Sequence, residues 1–278
     1  MNKLDYEFFD HKNEIEGYTG QDMFDIEHIV FMLASFALMI LFCVFAGKIS
    51  HDSVSKYLKA ASIFVPVIDW AKIIWESYHD VVVYDGSLNL SGLIPVYACS
   101  LFVYTLPFAA WGKGKPREIA LSFLGTLCIF FGLTNFIYLN VLNTYPFFTY
   151  ASATSAVFHF LMVFTGVLII STGYWRPTWK AALQAEIVML LYSAFVGPLN
   201  YYLNDLLNVD YVDYCFLYSG QSCPVILHDI YKLFGEGLRP LYTVTASVCY
   251  TVPAVVFTAL AIGASVLKKR FQKKLANR

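Results

Sequence analysis

Apolar residues run along the chain in seven long blocks, at 29–47, 58–78, 89–111, 118–138, 150–172, 181–203 and 241–266, with polar and charged residues gathered between them. A block of about 20 residues, rising 1.5 Å per residue as a helix, crosses about 30 Å of hydrocarbon. The pattern predicts an all-α polytopic membrane protein with seven transmembrane helices. The charged residues between the blocks orient it. Lys48, Lys56 and Lys59 follow span 1, Lys113, Lys115 and Arg117 follow span 3, Arg176 and Lys180 follow span 5, and Lys268, Lys269 and Arg270 follow span 7. All of these turns fall on one side, which the positive-inside rule makes cytoplasmic. The opposite turns are acidic or uncharged, so the N-terminus is expected outside and the C-terminus in the cytoplasm.

This layout divides the chain into an acidic extracytoplasmic arm (1–28), a seven-helix membrane domain (29–267) with a long outer loop at 204–240, and a basic cytoplasmic tail (268–278). Within the outer loop, Pro224 to Phe234 predicts a short interfacial helix with Leu227, Ile230, Tyr231 and Phe234 on one face. The arm's tyrosines and phenylalanines point to packing against the outer surface.

Composition narrows the class further. The 278 residues are 58% apolar and only 14% charged, with a net charge of −1. A soluble enzyme and a disordered chain are excluded, and so is a nucleic-acid binder, since no basic face is available for phosphates. The arm is acidic where a signal peptide would be basic, so no cleavage is expected. The six cysteines form no CxxC pair, which argues against a zinc site, and no metal or cofactor is required. Cys215 and Cys223 lie eight positions apart in the outer loop, where a disulfide and two unpaired thiols both remain open.

Ionisable groups in hydrocarbon are costly and usually face the bundle interior. Span 2 carries Asp69, Lys72 and Glu76 on one helical stripe, where Lys72 can pair with either acid. Span 3 contains Cys99 and span 5 contains His159, while the other histidines lie at span ends or in loops. Counted as continuous helix, Cys99 lies about 10 residues and His159 about 9 residues from the outer ends of their spans, and Asp69 reaches a similar level. A thiol in hydrocarbon is inert unless a base favours the thiolate, and Cys with His makes a nucleophile able to hold an acyl group as a thioester. A packing cysteine and a histidine hydrogen-bonded between helices are the plain alternatives.

Leu93-Ile94-Pro95-Val96-Tyr97-Ala98-Cys99-Ser100, the Phe158-His159-Phe160 step, Tyr174-Trp175-Arg176-Pro177-Thr178-Trp179-Lys180 and Asn208-Val209-Asp210-Tyr211-Val212-Asp213-Tyr214 occur in this order. Together with Asp25-Ile26-Glu27-His28 at the mouth of span 1, this ordered set resembles the YwaF-like family of bacterial integral membrane proteins. That family is itself similar to the eukaryotic transmembrane protein 164 acyltransferases and, more remotely, to the androgen-induced fatty-ester hydrolases. The resemblance covers roughly residues 25 to 218. It implies a multi-pass protein of the bacterial plasma membrane that acts as a helical intramembrane acyltransferase, with Cys99 acylated and His159 as its base. Many bacterial members carry Pro-Leu-His-Leu-Cys at the motif, whereas Tyr97 stands here two before the cysteine; a tyrosine donates a hydrogen bond but takes no proton at neutral pH.

The expected reaction moves an acyl chain from a membrane phospholipid to a lysolipid or other lipid acceptor. Asp69, Lys72, Tyr97, Asn135 and His28 are the candidate supporting or substrate-binding residues. A lipid esterase with the same pair, a transporter or sensor using Asp69, Lys72 and Glu76, and a purely structural membrane protein are the rivals. A retinal protein is excluded because span 7, from Leu241 to Leu267, has no lysine for a Schiff base.

Overall fold

Helices account for nearly all the regular structure, as the apolar blocks require: in a bilayer each backbone N–H and C=O must be satisfied within its own segment. The computed structural model describes residues 6–20, 23–86, 90–207, 212–221, 227–234 and 236–276. Among them are eleven α-helices and no strand: α1 (Ile26–Phe45), α2 (His51–Tyr78), α3 (Leu90–Leu93), α4 (Leu101–Trp111), α5 (Gly114–Leu124), α6 (Leu127–Ile137), α7 (Tyr150–Ser171), α8 (Lys180–Tyr201), α9 (Leu227–Phe234), α10 (Arg239–Cys249) and α11 (Thr251–Ala276). Cys223, the proposed partner of Cys215, and residues 208–211 of the fourth motif lie outside the described residues.

Among the described residues, five segments are long and apolar enough to cross a membrane: Ile26–Lys48, Gly114–Asn143, Tyr150–Ser171, Lys180–Leu206 and Arg239–Leu267. The chain is therefore a multi-pass membrane protein. The two other predicted spans differ from plain apolar helices for separate reasons. Helix α2 is 28 residues long and so has the length, but it carries Asp69, Lys72 and Glu76 in its second half. The third predicted span is not one helix. It breaks after Leu93, passes through an irregular stretch in which the Val96 N–H donates to Ile94 O at 2.8 Å, tightens into a 3₁₀ turn over Ala98–Ser100 and only then enters α4. Pro95 explains the break, because it lacks an N–H and its ring disfavours helical geometry at Ile94. The depth estimate for Cys99, which assumed continuous helix from residue 89, does not hold.

Helix ends follow the local sequence. The Ser50 side chain accepts from the Ser53 N–H at 3.1 Å and so caps α2, and Thr149 caps α7 by accepting from Ser152 N–H at 3.5 Å. Glu27 lies in the first turn of α1, where the helix dipole favours a negative charge.

The chain packs as two units, one of Met1–Leu93 with Cys128–Tyr174 and one of Ile94–Leu127 with Trp175–Arg278. In the first, α7 packs against α2 and α1. Helix α6 joins them through Gly132, where an added Cβ would lie 2.9 Å from both Met162 Cβ and Val163 Cγ2. The N-terminal arm belongs to the same unit and covers its loops, as its aromatic content leads one to expect. Tyr18 donates from its hydroxyl to the carbonyls of Leu142 and Tyr145, the Tyr150 N–H donates to Phe8 O at 2.6 Å, and buried Ile15 packs with Tyr145 and Ala151. Lys12 pairs with Asp80 at 3.1 Å and His11 Nε2 lies 3.3 Å from the same carboxylate.

In the second unit α5 packs between α4 and α8, and α8 also meets α10 and α11. A polar ladder joins α5 to α8: Ser122 donates to Gln184 Oε1 at 2.7 Å and Lys180 pairs with Glu118 at 3.1 Å. The short amphipathic helix expected near 224–234 is present as α9, Leu227–Phe234, with Leu227 buried and Leu233 exposed.

Candidate functional site

His159 is 8% exposed on α7, a helix whose long apolar sequence leaves the imidazole few polar neighbours. Its Nδ1 lies 2.8 Å from the carbonyl oxygen of Ser155, one turn earlier. A carbonyl only accepts, so Nδ1 carries the proton and the ring is held as the tautomer whose Nε2 has a free lone pair. Nε2 is buried and has no hydrogen-bond partner among the described residues. A fixed tautomer with an open basic nitrogen is what a general base requires.

Two residues of the α2 stripe belong to this surrounding. The Lys72 ammonium acts electrostatically on both the His159 ring and the Asp69 carboxyl, and Asp69 Oδ2 is likewise buried without a hydrogen-bond partner among the described residues. Glu76 acts electrostatically on Tyr145 and Tyr150.

The other two supporting candidates in this unit hold the fold. His28 is fully buried, its Nδ1 accepting from the Phe24 N–H at 3.2 Å and its Nε2 donating to Phe136 O at 3.2 Å, so both nitrogens are occupied. Asn135 donates back to Phe131 O at 3.0 Å within α6.

Cys99 belongs to the second unit and lies in the 3₁₀ turn that opens α4, half-buried. Tyr97, 44% exposed, precedes it in extended backbone with its ring edge-on to Tyr214 at 5.0 Å. A second thiol stands beside this segment: Cys215, 2% exposed, donates from Sγ to Val96 O at 3.5 Å and acts electrostatically on Cys99. Burial pushes the Cys215 thiol well up, which keeps it protonated and unreactive.

The loop that presents Cys215 is fixed from several sides. Asn200 grips the backbone of Tyr214 in both directions, accepting at 3.0 Å and donating at 2.9 Å, and Asn204 does the same to Val212 at 2.9 and 2.6 Å. The carbonyls of Cys215, Phe216 and Leu217 accept in turn from Tyr250 Oη, Tyr242 Oη and Thr243 Oγ1 at 3.0, 2.6 and 2.7 Å. These bonds hold Cys215 and Phe216 at φ of 56° and 55°, a left-handed geometry that costs about 1–3 kcal/mol for non-glycine residues and concentrates at functional sites.

An apolar groove of about 450 Å³ lies between α4, α5 and α8, lined by Leu101, two residues after Cys99, and by Tyr104, Phe108, Ile119, Leu191 and Tyr192 among others. The Tyr192 hydroxyl is buried without a hydrogen-bond partner among the described residues and acts electrostatically on Cys99. A mostly apolar groove of this size has room for an acyl chain.

A family model described as the TMEM164 family matches residues 23–264, a stretch that includes every candidate site residue. The chain belongs to the TMEM164 family. No curated protein matches the chain, and no solved structure does.

In this TMEM164-family chain, some site neighbours were not legible in the sequence. Tyr192 is one of 20 tyrosines and has no motif. Cys215 was read as an outer-loop cysteine, disulfide-bonded or unpaired, and not as a neighbour of Cys99. Glu186, 5% exposed on α8 with both carboxyl oxygens buried, would have been found by the same search for charges inside apolar blocks that singled out Asp69. Among the described residues, no group of three His, Cys, Asp or Glu side chains is placed to hold a metal ion.

Proposed function

We propose that the protein is an intramembrane lipid acyltransferase in which Cys99 carries the acyl chain as a thioester and His159 is the base. The observation that carries this reading is the state of His159: a buried imidazole with its proton fixed on Nδ1 by Ser155 and an open, lone-pair-bearing Nε2. Membership of the TMEM164 family and the apolar groove that begins at Leu101, two residues after Cys99, support it.

In the first half-reaction Nε2 takes the Cys99 thiol proton and the thiolate attacks the ester carbonyl of a phospholipid. The ester C–O bond then breaks. The lysophospholipid alkoxide leaves with the proton returned by the imidazolium, and the acyl group stays on sulfur. In the second, Nε2 takes the proton of a lysolipid or other lipid hydroxyl, whose oxygen attacks the thioester; the C–S bond breaks and the thiolate is reprotonated. The Tyr192 hydroxyl is the group best suited to donate to the carbonyl oxygen as charge develops.

The same reading takes the protein as seven spans with the N-terminus outside, in the plasma membrane of a bacterium. It requires Cys99 and His159, which belong to different packing units, to meet during turnover. The test is a lipid acyl-transfer assay on purified protein and its Cys99→Ala and His159→Ala variants. Loss of about 10²-fold or more in each supports the mechanism. Full activity in either overturns it, and release of free fatty acid with no acylated lipid assigns the esterase reaction instead.

A further inference from the structure

Two thiols stand together in the second unit. Cys215 Sγ donates to Val96 O at 3.5 Å and the Tyr214 ring meets the Tyr97 ring edge-on at 5.0 Å, so residues 214–215 lie against 96–97. Cys99 follows at once in the 3₁₀ turn, where the Ser100 N–H donates to Tyr97 O at 2.9 Å and brings the turn back toward its own start. Cys99 acts electrostatically on Cys215, and neither is in a disulfide.

The two differ in access and in backbone cost. Cys99 is half-buried and Cys215 is only 2% exposed, so a reagent from outside reaches Cys99 first and Cys215 only through it. Cys215 also sits at φ of 56°, where glycine would be the cheaper residue. Its carbonyl is held there by the Tyr250 hydroxyl at 3.0 Å, and the residue before it by Asn200. A side chain kept in such a conformation, with its sulfur against the Cys99 segment, points to a use for that sulfur.

We infer that Cys215 is the resolving thiol for an oxidised Cys99, the two forming a reversible disulfide after Cys99 reacts with a hydroperoxide. In the first step the Cys99 sulfur attacks a peroxide oxygen and the O–O bond breaks. Cys99 becomes a sulfenic acid, and the rest of the peroxide leaves as an alcohol, or as water from hydrogen peroxide, with the thiol proton. In the second step the Cys215 sulfur attacks the sulfenic sulfur; the S–S bond forms, the S–O bond breaks, and the hydroxyl leaves with the Cys215 proton as water. Two thiols lose two electrons and one hydroperoxide gains them. Cys215, protonated and shielded, stays silent until Cys99 carries an electrophilic sulfur. The disulfide stops Cys99 short of the irreversible sulfinic acid and withdraws it as a nucleophile until a reductant restores it. In the orientation proposed above, Cys215 belongs to an outer loop, on the side where disulfides persist. Only the effect on acyl transfer rests on the proposed function; the disulfide does not.

The test uses the full chain in detergent micelles, reduced, freed of reductant and treated with a small excess of hydrogen peroxide. Digestion without reductant and peptide mapping by mass spectrometry are expected to show Cys99 linked to Cys215, reversibly with a thiol reductant and equally in Cys223→Ser. In Cys215→Ser, dimedone should trap a sulfenic acid at Cys99, which should pass to the sulfinic acid about fivefold or more faster than in the native protein. Cys99 oxidised to the sulfinic acid while Cys215 stays reduced, Cys215 linked to Cys223 instead, or Cys99 linked only between molecules would each overturn the inference. The map of the native protein decides even if Cys215→Ser fails to fold. An acyl-transfer assay on the reduced protein keeps the two readings apart: a Cys99–Cys215 link in protein that has no transfer activity overturns the proposed function and leaves the resolving thiol standing.

Discussion

Lowering the pH should undock the N-terminal arm through His11. This residue is completely buried against Trp75, His79, Tyr84 and Tyr145. Burial, reinforced by the Lys12 and His79 charges and only partly offset by Asp80 and Glu14, lowers its pKa from 6.5 to about 4. The docked arm thus binds a proton less well than the undocked one. For a base with a lowered pKa the contribution is fully present above 6.5 and is lost as the pH falls from 6.5 toward 4. At pH 5 the undocked state gains a factor of about 30 from protonation of an ordinary histidine, worth about 2 kcal/mol. Hydrogen exchange of residues 6–20, corrected for intrinsic rates, measures it directly. Opening should be about 30-fold more frequent at pH 5 than at pH 7.5 in the native protein and nearly pH-independent in His11→Gln. Equal protection at both pH values, or an undiminished pH effect in His11→Gln, would refute the reasoning.

Other expectations concern the site and its supports. Asn200→Ala leaves the Tyr214 N–H and C=O without their buried partner, so the melting temperature in detergent should fall by the equivalent of about 2–4 kcal/mol, with loss of the ordered loop around Cys215. Gly132→Ala forces a methyl group against Met162 and Val163, and a thermal melt should show about 1–3 kcal/mol of destabilisation. Tyr192→Phe keeps the ring in its groove and removes only the hydroxyl. It should lower the rate of acyl transfer about tenfold or more, with the melting temperature unchanged, and a normal rate would remove Tyr192 from the mechanism.

What the sequence conveyed follows from which forces act locally. Helices α1 and α7 were legible because each is an uninterrupted apolar block with its charges at the ends, and α8 because its apolar run outweighs Glu186 and Pro198 within it. The third span was misread because its mean hydropathy hides one proline: Pro95 breaks the helix, and Cys99 then opens α4 from a turn. His159 was singled out by its rarity inside an apolar block, and the structure adds the tautomer, which depends on one carbonyl distance. Asp69 and Lys72 were grouped correctly by helical spacing. The environment of Cys99 was the least legible part. Tyr192 and Cys215 reach it from segments about 90 and 115 residues away in sequence, held by amide clamps on loop backbone that no periodicity encodes.

The central claim is that Cys99 carries an acyl group during turnover. Intact-protein mass spectrometry after brief incubation with a phospholipid donor and no acceptor tests it most directly, with peptide mapping to locate the adduct. The expected result is an acyl-sized mass increase at Cys99, removed by neutral hydroxylamine, absent in Cys99→Ser and strongly reduced in His159→Ala. An unmodified Cys99 in protein that transfers acyl chains at the full rate would contradict it.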